Sequence, residues 1–253
     1  MQRHVHAGLF FMVALLTLLV GSGCAPTTAP TAADVLEDAA LRYQRAIAAA
    51  ETLGVEAIRP LTPITAEASV VQWQGAPGES SVRVVNWTSA PDLAPGDSLV
   101  TDGEVWVTLA PKVQDFCQTS DLPEAALTMR LRQKIGLPPD APYDTFVTYW
   151  ADPDDLFRPC PDPQITDRDC PLTFPRSARF LTVSDAHREW IATTAAFSYQ
   201  PDGYPWTNLG YTYDWGPTDD VFGFSEYVIR PGAAVAVDAV DATAAYCATA
   251  APE

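Results

Sequence analysis

Four cysteines, at positions 117, 160, 170 and 247, constrain the fold of this chain more than any other feature. No two of them have the CxxC spacing of a redox motif. Cys160 and Cys170 are separated by nine residues without a histidine, which disfavours a zinc site. Four cysteines allow three disulfide connectivities. We favour Cys160 with Cys170, which closes a proline-rich loop, and Cys117 with Cys247, and we expect no metal and no cofactor.

The N-terminal segment indicates the oxidising compartment that disulfides need. Arg3 precedes an uncharged apolar run over residues 7–20, which is followed by the small residues Gly21, Ser22 and Gly23. A run of about 14 residues is shorter than the roughly 20 that a permanent membrane-spanning helix requires. The sequence therefore predicts a signal peptide over residues 1–23 and export from the cytoplasm, where structural disulfides persist.

Cys24 directly follows these small residues, and this arrangement resembles the lipobox of bacterial lipoproteins. In that family the thiol receives a diacylglyceryl group and becomes the first mature residue after cleavage. The resemblance implies a lipid anchor on Cys24, a flexible tether over residues 24–33, and a location on the extracytoplasmic side of a membrane. Gly21 stands where the family usually has an aliphatic residue, so ordinary signal cleavage is the alternative.

The net charge narrows the range of partners. The chain carries 32 acidic against 15 basic residues, for a formal charge of −17. Nucleic acid is excluded as a partner, because phosphate binding depends on clustered lysine and arginine. The remaining partners are the membrane, through the acyl chains on Cys24, and a protein or glycan of the cell envelope. Hydrophobic residues make up 47% of the chain, enough for a single extracytoplasmic domain over residues 34–253.

Hydrophobic periodicity predicts both helices and strands. Helical spacing occurs in three segments: 33–50, 122–137 and 184–199. Ser120 or Asp121 is the expected N-cap of the second helix, and Ser184 or Asp185 that of the third. Strand-like runs occupy 67–73, 81–87, 97–100, 104–109, 144–150, 206–215, 224–230 and 233–240. Residues Thr101–Gly103 read as a hairpin turn between two of these runs. The sum predicts an α+β fold with a mainly antiparallel sheet, about three helices and disulfide staples.

Prolines break regular structure between residues 151 and 175, so this segment is predicted to be a long loop. Such loops are usually functional or stapled, and the Cys160–Cys170 bond would staple this one. Two acidic clusters belong to loops and are expected to be solvated: Asp152, Asp154 and Asp155, and Asp219 with Asp220.

Strong catalytic motifs are lacking. Only His187 follows the signal peptide, in a polar turn where it should be exposed, and the segment around Ser225 lacks the second glycine of a GxSxG elbow. Carboxylate pairs can still catalyse glycoside hydrolysis. The sequence therefore favours a non-catalytic, lipid-anchored binding or structural protein of the bacterial envelope. A carboxylate-dependent hydrolase acting on envelope polysaccharide is the alternative.

The segment from Tyr204 to Asp220 is the densest in aromatic and polar residues. Tyr204, Trp206 and Asn208 are the candidate ligand-binding residues, because aromatic faces beside amides suit a sugar or peptide. The next residues alternate as in a strand, with Tyr211, Tyr213 and Trp215 facing the core and Thr212 and Asp214 on the opposite face. Trp206 is expected to be partly exposed, together with Tyr204.

Overall fold

The computed structural model describes residues 32–89, 91–175, 183–216 and 219–248. The predicted signal peptide 1–23, the lipidation site Cys24 and the tether up to residue 31 lie outside these ranges. Among the helices of the described ranges, none combines the length and the apolar character that crossing a membrane requires.

Five α-helices occur in the described ranges: α1 (Ala32–Ala50), α2 (Ala110–Thr119), α3 (Glu124–Ile135), α4 (Asp185–Ser198) and α5 (Thr243–Ala248). The three predicted helices are present as α1, α3 and α4, and α2 and α5 were not predicted. Ser184 caps α4 as expected, since its hydroxyl accepts a hydrogen bond from the His187 amide at 3.1 Å. The predicted cap of α3 was wrong, because that helix begins after Pro123 without a side-chain cap. Gly136 ends α3 with φ of 76°, a left-handed conformation that suits glycine.

Eight strands form one antiparallel sheet: β1 (Val82–Thr88), β2 (Ser98–Val100), β3 (Val105–Leu109), β4 (Thr145–Ala151), β5 (Leu156–Phe157), β6 (Tyr211–Tyr213), β7 (Phe222–Ile229) and β8 (Ala234–Ala242). Their order is β2-β8-β4-β1-β3-β7-β5, and β6 pairs with the first half of β7. The predicted α+β class with a mainly antiparallel sheet is confirmed.

The hairpin predicted at Thr101–Gly103 was wrong. Strand β2 pairs with β8, whereas β3 pairs with β7. Ser98 lies opposite Ala236, and Val105 lies opposite Ile229. Val105 comes seven residues after Ser98, and Ile229 comes seven residues before Ala236. The two ladders therefore share one register, and β2–β3 and β7–β8 are two long strand segments that bend together. Because β2 and β3 belong to one bent segment but lie at different places in the strand order, the sheet curls.

The inner face of the curled sheet carries the largest apolar cluster. Alternate residues of five strands meet there, among them Val84, Leu109, Tyr227 and Val235, all buried. The loops before β1 and after β5 cover this cluster with residues such as Ile64 and Ile165. Residues 67–73, predicted as a strand, instead form turns with a single bridge from Trp73 to Val82.

Helices α2, α3 and α5 cover one part of the outer face. Val85, Phe146 and Phe224 project from the strands into a second apolar cluster with these helices. The Cys117–Cys247 disulfide lies in this cluster and joins α2 to α5. This disulfide has the predicted connectivity.

The Cys160–Cys170 disulfide, also as predicted, staples the loop that follows β5. Arg158 is fully buried beneath that loop and donates hydrogen bonds to the carbonyl oxygens of Gln164, at 2.8 Å, and Asp167, at 3.0 Å. Desolvation lowers the pKa of its guanidinium from the ordinary value. The loop is therefore held from within by a buried cation as well as by a covalent bond.

Helix α1 packs its apolar stripe on the segment that follows β6. Tyr43, Ala46 and Ile47 contact Tyr213 and Trp215, and the rings of Tyr43 and Trp215 meet edge to face at 5.6 Å. This contact places the first helix beside the aromatic segment that the sequence singled out.

Candidate functional site

A cavity of about 690 Å³ lies on the outer face of the sheet, next to the part that α2 and α3 cover. Strands β1, β3 and β7, helix α4, the end of α3 and the loop from Tyr204 to Trp206 contribute to its lining. The volume falls within the range of small-molecule binding sites, roughly 300 to 1,000 Å³.

One row of side chains across three strands forms part of the cavity wall. Val85 of β1 lies opposite Thr108 of β3, which in turn lies opposite Glu226 of β7. Residues directly opposite each other in an antiparallel sheet share a face, so the three side chains point the same way. All three line the cavity. The sheet therefore holds a carboxyl group at a rigid position in the cavity wall.

Aromatic residues dominate the rest of the lining: Trp87, Trp106, Tyr143, Phe146, Tyr149, Trp190, Phe197, Tyr204, Trp206, Tyr211 and Tyr213. Trp190 of α4 links the sheet to the opposite loop, because its ring lies 5.9 Å from that of Trp106 and 6.1 Å from that of Trp206. Tyr199 stacks on the other side of Trp206, at 6.2 Å. These ring contacts fix the aromatic side chains in place.

Two aromatic side chains that line the cavity also reach the surface. Phe197 is 64% exposed and Tyr204 is 37% exposed. Both side chains combine a place in the cavity lining with exposure to solvent. We take Phe197 and Tyr204 as the mouth of the cavity.

Glu226 has an unusual electrostatic environment. Burial raises the pKa of its carboxyl from the ordinary value of 4.5 to about 8. Throughout the described ranges, no hydrogen bond or ion pair reaches this side chain. The nearby cations on α3 are already engaged, because Arg130 and Lys134 contact the Asp214 carboxylate at 2.6 and 3.4 Å. Burial therefore favours the protonated form of this carboxyl group, which has no partner among the described residues.

The three candidate ligand-binding residues are not all in the cavity. Tyr204 and Trp206 line it, whereas Asn208 does not. Asn208 instead adopts a positive φ of 53° in the turn before Gly210. The expectation that Trp206 is partly exposed was wrong, because it is 5% exposed between Tyr199 and Trp190. Its indole N–H is buried and has no hydrogen-bond partner in the described chain.

The prediction that only one face of the segment 211–215 is buried was also wrong. Tyr211, Tyr213 and Trp215 are buried as expected, but Thr212 and Asp214 are buried as well. Asp214 tolerates burial because Arg130 binds both of its carboxylate oxygens, at 2.8 and 2.6 Å, and Lys134 lies close by. A paired and hydrogen-bonded carboxylate can be buried where an isolated one cannot.

The other candidates from the sequence lie away from the cavity. His187, expected to be exposed, is buried against Phe157 and Trp190, and its Nε2 lies 2.9 Å from the Cys160 carbonyl oxygen. Burial lowers the pKa of its imidazole. Within the described ranges, no three His, Cys, Asp or Glu side chains come close enough together to hold a metal ion.

Sequence reasoning did not identify Glu226, Trp106 or Trp190 as site residues. A usable signal was present for Glu226, since it stands in the middle of an apolar run, Phe224–Ile229, that forms a strand. An acidic residue in the middle of such a strand requires either a partner or a functional reason.

The fold and the cavity together define an α+β domain with an aromatic-lined cavity on the outer face of its sheet. Comparison with protein-family models, with curated proteins and with solved structures found no match to this chain.

Proposed function

We propose that this protein is a non-catalytic binding protein of the bacterial envelope and that the aromatic cavity on the outer face of its sheet holds a small, largely apolar ligand. The observation that carries the proposal is the cavity itself, with a volume of about 690 Å³ and eleven aromatic residues in its lining. Binding sites for small molecules are predominantly apolar concavities with a few fixed polar groups.

The polar groups of the cavity fit a binding role. The Trp206 indole N–H has no partner within the described residues, and a buried donor without a partner costs about 1 to 3 kcal/mol. The Glu226 carboxyl likewise lacks one. Both groups would gain hydrogen bonds from a ligand, which gives the site orientation as well as apolar contact.

The hydrolase alternative has less support. Glycoside hydrolysis needs two carboxyl groups about 5 to 10 Å apart. The cavity lining has Glu104 and Glu226 as its acidic residues, and Glu226 lies opposite Thr108. Glu104 is four residues before Thr108, which corresponds to about 13 Å of strand. No hydrogen bond or shared contact links these two carboxyl groups in the described chain, so nothing beyond their presence in the lining supports that chemistry.

The lipid anchor on Cys24 is part of the same proposal. It rests on the signal pattern of residues 1–23 and on the short distance to the folded domain, since α1 begins at Ala32. Eight residues of fully extended chain span at most about 28 Å. An anchored domain would thus hold its cavity close to the membrane surface. Cys24→Ser should release the protein into the soluble fraction, and membrane retention with an unchanged processed mass would contradict the anchor.

Ligand binding can be tested with the processed protein and the apolar fluorophore N-phenyl-1-naphthylamine. Thr194 of α4 lines the cavity and is half-buried, so Thr194→Trp should fill part of the cavity. Ala192 lies two residues earlier on the same helix, is exposed and is outside the lining, so Ala192→Trp is the matched control. Both variants add one tryptophan to α4.

We expect saturable fluorescence enhancement with the natural protein and with Ala192→Trp, and at least tenfold weaker binding with Thr194→Trp. Circular dichroism should show both variants to be folded. Absence of saturable binding to the natural protein, or equal binding by the two variants, would refute the cavity as a ligand site.

A further inference from the structure

The cavity lining contains acidic side chains and, among the described residues, no basic ones. Of the residues that line it, the charged ones are Glu104 and Glu226, and none of the lining residues in the described chain is a lysine, arginine or histidine. Glu226 is half-buried in the wall and Glu104 is exposed at the surface. The formal charge of the whole chain is −17, which attracts cations toward such an opening over several ångströms of solvent.

We propose that the cavity selects an organic cation, a quaternary ammonium or an amine, which places its positive charge against Glu226 between the faces of the aromatic side chains. This inference rests on the proposed binding function and specifies its ligand class. Trp106 and Trp206 line the cavity with Glu226, and the negative faces of aromatic rings attract a desolvated cation.

The comparison with Asp214 supports a cation from outside the protein. Asp214 is 2% exposed and is neutralised by Arg130 and Lys134 of α3, whereas the half-buried Glu226 has no such partner in the described chain. Lys134 also donates a hydrogen bond to the Phe222 carbonyl oxygen at 2.8 Å, so both cations are directed away from Glu226. The fold thus supplies counter-ions to one buried carboxyl group and leaves the other facing a cavity large enough for a ligand.

An anionic ligand would oppose the ionisation of Glu226 and would meet no lysine, arginine or histidine among the described lining residues. A neutral ligand could accept a hydrogen bond from protonated Glu226, but it would gain nothing from the like-signed charges around the opening. Charge complementarity therefore favours the cation over both alternatives.

The titration of Glu226 makes this selection depend on pH. A bound cation favours the ionised carboxylate, so binding below the pKa of the free protein must release a proton. Affinity for a permanent cation should therefore rise about tenfold per pH unit from pH 6 and level off above about pH 8.

Other titratable groups around Glu226 have defined roles. Glu104, which directly precedes β3, and five tyrosines also line the cavity: Tyr143, Tyr149, Tyr204, Tyr211 and Tyr213. Desolvation raises the pKa of four of these tyrosines, Tyr211 to about 12, so those four stay neutral in the range of interest. Lys134 of α3 is bound to Asp214, and Arg230 at the end of β7 stacks over Phe157 at 4.7 Å.

The test compares phenyltrimethylammonium with tert-butylbenzene, an uncharged molecule of nearly the same shape, by calorimetric titration from pH 6 to pH 9. Neither probe titrates, so any pH dependence belongs to the protein. Glu226→Gln removes the charge in the wall, Glu104→Gln removes the one at the surface, and Glu79→Gln removes an exposed charge outside the lining.

We expect the cation to bind the natural protein at least tenfold more tightly than its uncharged analogue at pH 8, with the pH profile described above. Glu226→Gln should lose both the preference and the pH dependence, and Glu79→Gln should keep them. Glu104→Gln should change the affinity by less than threefold.

Tight binding of tert-butylbenzene without a preference for the cation would overturn this inference and leave the proposed function intact. Failure of both molecules and of the naphthylamine fluorophore would refute the proposed function as well. The pH profile of the natural protein needs no variant, so a flat profile overturns the inference even if Glu226→Gln fails to fold.

Discussion

Replacing Glu226 with Gln should stabilise the empty protein, and the gain should grow with pH. In the natural protein, burial raises the pKa of Glu226 from an ordinary 4.5 to about 8. Below pH 4.5 both the folded and the unfolded chain hold the proton, so the group contributes nothing to the pH dependence. Between pH 4.5 and 8 only the unfolded chain releases it, and the free energy of unfolding falls as pH rises. Glutamine does not titrate and avoids this loss.

The expected gain in the free energy of unfolding follows from the pKa shift of Glu226. At about 1.4 kcal/mol per pH unit, a group that remains protonated up to pH 8 costs at most about 3 kcal/mol at pH 7 and about 5 kcal/mol above pH 8. Glu226 keeps some accessible surface and lines the cavity, where water reduces the desolvation. We therefore expect about half of these values for Glu226→Gln, that is, roughly 1.5 to 2.5 kcal/mol.

Urea unfolding followed by circular dichroism from pH 4 to pH 9 measures this difference. The difference between the variant and the natural protein isolates the contribution of Glu226 from all other titrations. Glu79→Gln, at an exposed position, should give a flat difference over the same range. A flat difference for Glu226→Gln as well, or one that favours the natural protein more as pH rises, would refute the assignment of Glu226 as a buried carboxyl without a partner.

Three further predictions concern the scaffold. Trp215→Ala should lower the free energy of unfolding by about 3 to 5 kcal/mol, because Trp215 is buried against α1, and a loss under 1 kcal/mol would contradict that packing. Asp214→Ala should cost about 3 to 5 kcal/mol in urea unfolding, since it leaves Arg130 and Lys134 without their counter-ion, and Asp214→Asn should cost less. Replacing Cys117 and Cys247 together with serine should cost about 3 to 5 kcal/mol, and an unchanged thermal midpoint would argue against the disulfide.

Local sequence patterns were sufficient to predict elements whose partners are nearby. Helix α1 and helix α4 followed from apolar spacing, and Ser184 marked the start of α4. Helix α2 was missed although Val113, Phe116 and Cys117 have helical spacing, because it begins directly at the end of β3 without a linker. When a strand passes directly into a helix, no turn residues mark the boundary in the sequence.

Pairing between distant segments could not be predicted in the same way. Thr101–Gly103 has the composition of a hairpin turn, yet it lies in the bend between β2 and β3, and both strands pair with residues more than 100 positions away. Turn propensity reports local geometry and carries no information about such partners.

Only part of the candidate site could be predicted from the sequence, because its residues come from distant segments of the chain. Tyr204 and Trp206 were identified from their composition, but the cavity also depends on Glu226 and Trp106, which come from other parts of the chain. A cavity is space left between packed elements, so it appears only when their arrangement is known.

The strands at the margins of the sheet are short, with three residues in β2, two in β5 and three in β6. Unpaired N–H and C=O groups along a long, flat edge would recruit strands from other copies of the chain, and short edge strands offer little length for such growth. A protein at the proposed envelope location would fold without the cytoplasmic chaperones and, if lipid-anchored, would stand beside other copies in a membrane plane. We expect this sheet to tolerate that crowding without forming intermolecular β-structure.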